Sequence, residues 1–558
     1  MMQSRTFFIP LFLLLLPPSA HAQAWKWAQS LGAANGNTTV TSIRPYAGTG
    51  ALLCGSYASA ALALGNQALI NAGQDDGYAA ILDDAGQYAW AVGFGGSGRD
   101  FVVDAAAAPD GSFAVAGNFN SLVLTIGGGS ALFNSGETDG FVAKYNPDKT
   151  IAWAQKIGTA DIDEVTGLAA DADGNTYISG QVLDKFTQST RHTFVRKLDA
   201  AGNLVWEQKG ITQGNSLKTT ALALDNDQNI YLGGGLLYGT VTFSGVNLTS
   251  DTSYAAFMVK YSPSGSLLDT WLNPALDKIN GLHARGNHLY ACAEKVFGGI
   301  GWGWPLFDSK THVLKFDTGF NNIWHKTAGG ETPFQSLDIA KNLDVDEKGN
   351  VYVTGYFFSD TLRFAAQELP NPFNVHYYYP QIFVFKYSPV GDELWAKSLG
   401  GIHSEEGTSI RAFGDDKFWL GGNFESDPVA FGAFELHNTG KLDSMYVHLR
   451  PARYVRKTMG FLAVFDKDVS DTNPEPAFRE LVIFPNPAAD HITVQLKSPT
   501  DSPLILQITT ADGRLIRQTA HTDGVAGIRE DLTGLAPGVY FVTLSTDEGV
   551  FSGKVLKM

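Results

Sequence analysis

The side chains in this sequence that could do chemistry are acids and aromatic rings. Acidic residues follow a recurring Trp at short intervals: Asp100 beside Arg99, Asp161 with Asp163 and Glu164, and Glu405 with Glu406. Two readings stand for them. They cap strand starts and hydrogen-bond between neighbouring segments, or two of them face each other across roughly 5–10 Å, the geometry of a paired-carboxylate polysaccharide hydrolase or lyase. Aromatic rings gather in Gly301-Trp302-Gly303-Trp304-Pro305 and His376-Tyr377-Tyr378-Tyr379-Pro380. Exposed Trp and Tyr offer flat amphipathic surfaces that stack on sugar rings or bury against a protein. Trp302, Trp304, Tyr377 and Tyr378 are therefore a candidate ligand-binding set, the alternative being that the two segments pack on one another.

Other chemistry is thinly represented. Gly93-x-Gly95-x-x-Gly98 spells a dinucleotide fingerprint, but no helical pattern follows to aim amides at a phosphate, so it reads as a loop. Asp171, Asp173 and Asn175 have calcium-like spacing without a downstream bidentate Glu, and the same positions recur as hairpin turns. Gly-x-Ser-x-Gly, His-Glu-x-x-His and zinc-spaced Cys or His are all missing from the sequence. The expectation is no assigned catalytic residue, no metal and no cofactor: a binding protein more readily than an enzyme. The formal charge of -16 argues against nucleic acid as a partner.

These residues must be positioned by a repeat. Trp27, Trp90, Trp153, Trp206, Trp271, Trp324 and Trp395 each open a similar pattern, at spacings of 63, 63, 53, 65, 53 and 71 residues. Between them a short apolar run ends in Gly or another small residue, as at Tyr177 to Gly180, and an alternating strand follows, as at Phe194 to Leu198. In the template, Val165 to Ala170, Thr176 to Val182, Thr193 to Leu198 and Leu204 to Gln208 make two hairpins. Turns of the form Asp/Ser-x-x-Gly close the second hairpin. A four-stranded sheet with two apolar faces needs neighbours, and radial stacking of seven such sheets supplies them. The fold class expected is all-β: a seven-bladed β-propeller over 23–465, a polar linker over 466–480, and a small Ig-like β-sandwich over 481–558. The repeats exceed the roughly 40–45 residues of a compact blade, so the surplus is assigned to loops. The third strand of the seventh unit is expected at Tyr446 to Arg450. The strand Trp25 to Ala28 is expected to complete that blade, with Arg453 to Lys457 as the alternative. Cys54 and Cys292 fall in the first and fifth repeats, too far apart to pair in a ring, so buried free thiols are expected.

Trp395-Ala396-Lys397-Ser398-Leu399-Gly400-Gly401 and the preceding Asp346-Glu347-Lys348-Gly349-Asn350-Val351-Tyr352-Val353-Thr354-Gly355 resemble the bacterial seven-bladed β-propeller (SBBP-type) repeat. Residues 90–117 and 153–180 match nearly as well, while the fifth unit lacks the Gly-rich step after Trp271. This resemblance spans most of the chain and implies a fold; no shared catalytic set travels with it.

The ends read differently. Arg5, the apolar Phe7 to Leu16 and Ala20-His21-Ala22 have the form of a signal peptide over 1–22, cleaved between Ala22 and Gln23. At the other end, Phe484-Pro485-Asn486-Pro487-Ala488, Asp512-Gly513-Arg514, Pro537-Gly538-Val539-Tyr540 and Lys554-Val555-Leu556-Lys557 resemble the type A C-terminal sorting domain of the type IX secretion system. That resemblance implies a translocon and a sortase as partners, and a secreted or outer-membrane surface location. Membrane attachment would come only through sortase-added lipopolysaccharide. A glycan or surface protein is the ligand expected for the propeller, with an adhesin role.

Overall fold

The computed structural model describes residues 24–467 and 481–558, except 33–35, 47, 49, 128, 188, 213–216, 302–303, 331–335, 372–378, 441, 446–452, 497–503, 511–514, 522–526 and 547–548. Every named element is a β-strand, and no described helix is long and apolar enough to cross a membrane. The signal segment, with Ala22 and Gln23, lies outside the described residues. The chain divides between Val469 and Ser470 into two compact units.

In the template repeat, Ile162–Ala170, Thr176–Leu183, Thr190–Leu198 and Leu204–Thr212 pair in sequence order, each antiparallel to the last. The same order starts from Thr38–Tyr46, Asp100–Ala107, Leu217–Leu224, Lys278–Arg285 and Ile339–Val345. The last unit departs from expectation. After Glu405–Gly414 and Lys417–Phe424, its third strand is Met459–Asp466, and Ala24–Leu31 fills the fourth place. Tyr446 to Arg450 lies outside the described residues, and Arg453–Arg456 pairs instead with Leu442–Met445. The physical reason is burial. A central strand needs two apolar faces, which Phe461-Leu462-Ala463-Val464-Phe465 supplies and a stretch carrying His448 and Arg450 does not. Asp466, assigned from sequence to the linker, is the last residue of that strand.

Each first strand carries a β-bulge at the same place, skipping Thr41, Val103, Thr166, Thr220, Asn280, Lys341 or Thr408. The bulge explains the small residue that ends each apolar run. Gly55, Gly117, Gly180, Gly234, Gly355 and Gly422 pair with the residue before the bulge, where a Cβ would run into a first-strand carbonyl oxygen. The fifth unit has Ala293 at this place. Bulge side chains then reach the next unit. Thr41 Oγ1 donates to Val102 O at 2.9 Å, Asn280 Nδ2 to Ala340 O at 2.9 Å and Thr408 Oγ1 to Val40 O at 2.8 Å.

The recurring Trp and the Asp/Ser-x-x-Gly turn prove to be two halves of one contact. Trp153 and Trp206 donate from Nε1 to Ala200 O and Pro263 O of the following unit, both at 3.0 Å. Gly202 and Gly265 lie against those indoles with φ of 89° and 84°, so a side chain there would be strained and would collide with the ring. Trp27 repeats the arrangement from Ala24–Leu31 onto Asp84 and Gly86 of the first unit.

The surplus length forms strands as well as loops. Short hairpins, Val123–Ile126 with Ser130–Phe133 among them, join second to third strands. Val123–Ile126 pairs with the edge of Tyr88–Gly95 in the preceding unit, and Val241 to Phe243 pairs with Gly210 to Thr212 in the same manner. Covering an outer edge removes a row of unpaired amides from solvent. Gly93 and Gly95 also belong to Tyr88–Gly95, not to a loop, and Gly95 leaves room for the Asp76 carboxylate. Cys54 and Cys292 are free and buried, their thiols pushed up to about 12 by desolvation.

The second unit holds two sheets. Leu481–Phe484, His491–Leu496 and Ile528–Asp531 form one; Leu515–His521, Leu504–Thr510, Gly538–Thr546 and Gly549–Lys557 form the other. The stretch Leu532 to Leu535 is the turn after Ile528–Asp531, closed by Leu535 N donating to Leu532 O at 3.1 Å. Ile492, Val494, Leu506, Ile508 and Val542 make the core of this unit.

Candidate functional site

Of the aromatic set, Trp304 lies among the described residues, in the second-to-third connection of the fifth unit. His288–Gly301 and Trp304–Asp317 pair without a break from His288 with Asp317 to Gly301 with Trp304. Trp304 thus opens the returning strand. Trp302, Tyr377 and Tyr378 lie outside the described residues. Val296 to Phe307 contains no charged residue. Tyr379, next to the second aromatic stretch, is buried edge-on against His403. The two connections belong to adjacent units, tied by Asn280 to Ala340 and by a bridge between Gly329 and Arg363.

The acids mostly serve backbone amides. Asp100 accepts from Ser121 Oγ at 2.6 Å and Ser121 N at 3.3 Å. Asp163 accepts from Thr159 N and Oγ1, both at 2.7 Å. Glu405 accepts from Ser426 N at 3.1 Å through one oxygen, and from Gly401 N at 3.0 Å and Gln381 Nε2 at 3.3 Å through the other. Burial is the largest influence on Glu405 and pushes its carboxyl up to about 8. It likewise raises Asp100, Asp139 and Asp338, and takes Asp76 to about 6. Arg99 pairs with Asp75 at 3.3 Å, and Glu164 accepts from Gln181 at 2.7 Å. Asp161 and Glu406 are half-buried. The capping reading holds for Asp100, Asp163 and Glu405. Asp171 is filled in the same way, by the amides of Asp173 and Asn175, the Asn175 amide group and the Tyr177 hydroxyl.

The structure adds a polar cluster on the first strands. Three residues past each bulge stand Arg44, Ala106, Ala169, Ala223, His283, Asp344 and Arg411. Arg44 bonds Asp104 through Nε at 2.9 Å and Nη2 at 2.7 Å. Asp104 also accepts from Ser42 Oγ at 2.8 Å and from Leu168 N at 3.1 Å in the third unit. Asp344 accepts from Arg411 Nη1 at 2.6 Å, Ala412 N at 2.7 Å and His283 Nδ1 at 2.8 Å. Burial pushes Asp344 up, but Arg411 and His283 outweigh it and hold the carboxyl well below its usual range. Burial likewise depresses Arg44, yet Asp104, with a contribution from Asp344, keeps it above its ordinary value. Sequence reasoning missed this cluster. Its signal is an asymmetry at one repeat position, His, Asp, Arg and Arg in units five, six, seven and one and alanine in units two to four, and it is visible only after the bulges align the strands.

In the tail, the Pro-Asn-Pro segment holds the end of the chain. Asn486 Oδ1 accepts from Leu556 N at 2.9 Å, Ala488 N donates to Leu556 O at 2.8 Å, and Met558 N donates to Ala488 O at 2.9 Å. Pro485 and Pro487 are exposed. Tyr540 donates from its hydroxyl to Ala536 O at 2.9 Å, just across Gly538. Lys554 lies in the final strand opposite Phe541, and Gly513 is outside the described residues. Residues 482–558 match the family model of the secretion system C-terminal sorting domain. The chain carries a type IX export signal. Its destination is the cell surface or the medium, and the type IX machinery is a partner of the tail.

For the rest of the chain, similarity is distant. An uncharacterized WD repeat-containing protein of Acanthamoeba polyphaga mimivirus is 25% identical over 316 residues, covering 50% of this chain and 19% of that protein. The chain thus spans about a fifth of that curated relative. Among solved structures, polysaccharide lyase Uly1 has a TM-score of 0.39 at 9% identity, over 82% of this chain and 94% of the lyase. Drosophila Plexin A in complex with Semaphorin 1b gives 0.33 at 8% identity, over 78% and 88%. Phage phi92 endosialidase gives 0.28 at 9%, over 81% and 84%.

Proposed function

We propose that the exported body of the chain is a closed seven-bladed propeller of the bacterial SBBP-type repeat, acting at the cell surface as a binding protein for a glycan or a protein, with an adhesin role. Closure is supported by hydrogen bonds joining the last first-strand to the first: Thr408 to Val40, and Ile43 N to Ser409 Oγ at 3.0 Å. The ligand site in this reading is the rim set Trp302, Trp304, Tyr377 and Tyr378. One observation supports it: a two-stranded ribbon paired out to Gly301 and Trp304, whose outer stretch Val296 to Phe307 carries no charged residue and includes both Trp in its sequence. Indole rings on such a ribbon offer stacking area at low entropic cost. The sorting tail supplies delivery in this scheme, with cleavage by a sortase and transfer to lipopolysaccharide as the attachment step.

The test is a glycan and cell-envelope array probed with the exported chain and with a Trp302→Ala/Trp304→Ala variant of equal melting temperature. Specific binding lost in the variant is the expected result. Equal binding by both proteins, or none by either, removes the rim site.

A further inference from the structure

A second site lies on the first strands, built from different residues. His283, Asp344 and Arg411 form one group of contacts and Arg44 with Asp104 a second, on the first strands of five units and toward the ends where the first-to-second turns lie; the two groups adjoin where the first strands of units seven and one bond, Ile43 N to Ser409 Oγ. The aromatic connections leave from the opposite ends of these strands. Both carboxylates in the run are filled. Asp104 receives Arg44 twice, Ser42 Oγ, Ala105 N and Leu168 N. Asp344 receives Arg411, Ala412 N and His283. The guanidiniums are not exhausted. Arg411 uses Nη1 alone for Asp344, and its Nε is buried with no hydrogen-bond partner among the described residues. Arg44 engages Asp104 through Nε and Nη2, which turns Nη1 away from that carboxylate.

A buried N–H without a partner is destabilising, and native structures keep few of them. Here the orphan belongs to a guanidinium, a fork of donors suited to planar oxyanions. What the two arginines have left is donor capacity only. The same repeat position in units two to four is Ala106, Ala169 and Ala223, which add neither charge nor bulk.

We propose that Arg411 and Arg44 form a binding site for a small oxyanion, a carboxylate or sulfate group carried by a ligand, with Asp344 and Asp104 as positioning residues that fix the two guanidiniums. This site does not depend on the aromatic rim. The test is isothermal titration of the exported chain with sodium sulfate and with sodium glucuronate, against sodium chloride at equal ionic strength. Three proteins are compared: the native chain, Arg411→Lys and Ala169→Glu. Arg411→Lys retains a cation beside Asp344 and removes the Nε donor; Ala169→Glu replaces no ion-pair residue and adds a negative charge at the same repeat position of the third unit. Saturable binding by the native chain, at least tenfold weaker in both variants at unchanged melting temperature, is expected. Response to sulfate alone identifies sulfate esters as the source, and response to glucuronate alone identifies uronates. No saturable binding of either probe overturns the proposal, as does equal affinity in all three proteins. If the variants melt early, a native chain stabilised by sulfate but not by chloride still supports the site, and equal stabilisation by both salts overturns it. The Trp302→Ala/Trp304→Ala variant retains the oxyanion response, so the two sites fail separately.

Discussion

Replacing Glu405 by Gln should remove the largest single share of the pH dependence of stability that the native chain shows between about pH 5 and 8. Glu405 is fully buried at the start of the last unit's first strand, with Ser426, Gly401 and Gln381 directed at it and Glu425 adding negative charge nearby. Burial opposes ionisation and the donors favour it. Burial wins, and the carboxyl moves from 4.5 to about 8. The sign follows from proton counting. Between these values the folded chain keeps the proton and the unfolded chain has lost it, so stability falls as pH rises, by about 1.4 kcal/mol per pH unit. Across the window the loss amounts to about 5 kcal/mol, large beside the 5–15 kcal/mol typical of a domain. The contribution is fully present below about pH 4.5 and gone above about pH 8. Denaturant midpoints of the native chain and Glu405→Gln, taken at unit intervals from pH 5 to 9, measure it. Native stability minus that of Glu405→Gln should fall with rising pH and level off above about 8. Parallel profiles would refute the reasoning, and a native chain that gains on the variant as pH rises would show that the three donors hold an anion.

Gly355→Ala should destabilise by ~1–3 kcal/mol, because its Cβ meets the Ile339 carbonyl, whereas Ala293→Gly at the same place in the fifth unit relieves no clash and should cost about 0.5–1 kcal/mol through lost burial and added backbone freedom; thermal melting compares the two. Asp344→Asn should cost about 3–5 kcal/mol at neutral pH by leaving Arg411 and His283 without their anion. The depressed carboxyl of Asp344 contributes stability above its unfolded pKa near 4 that is lost as pH falls, so the variant should lose less stability on acidification than the native chain. A chain ending at Glu480, without the sorting domain, should be retained inside the outer membrane, as read by immunoblotting of surface and periplasmic fractions.

Much of the architecture was present in the sequence because its causes are local. Alternation at Thr176 to Val182 places side chains on two faces whatever surrounds them. A Gly with φ near 89° at position 202 is demanded by the turn itself. The Pro485-Asn486-Pro487 motif and its companions marked the tail for the same reason, each being a short unit of fixed spacing. The capping role of Asp100, Asp163 and Glu405 was also accessible, since a carboxylate shortly before a strand start commonly serves nearby amides.

Tertiary structure decided what depended on partners distant in sequence. Which strand follows Lys417–Phe424 could not be settled from alternation, because Tyr446 to Arg450 and Met459–Asp466 both have strand character and only burial between Lys417–Phe424 and Ala24–Leu31 separates them. The meaning of the repeated Trp was equally hidden: its partner is a turn 47 residues on at Ala200 and 57 residues on at Pro263. The arginine and aspartate cluster is the clearest case. Arg44 and Arg411 look like ordinary strand cations, and their shared tier becomes visible only once seven aligned bulges bring the first strands to a common register. Periodicity is written residue by residue along the chain, whereas pairing between remote strands is a property of the folded surface they share.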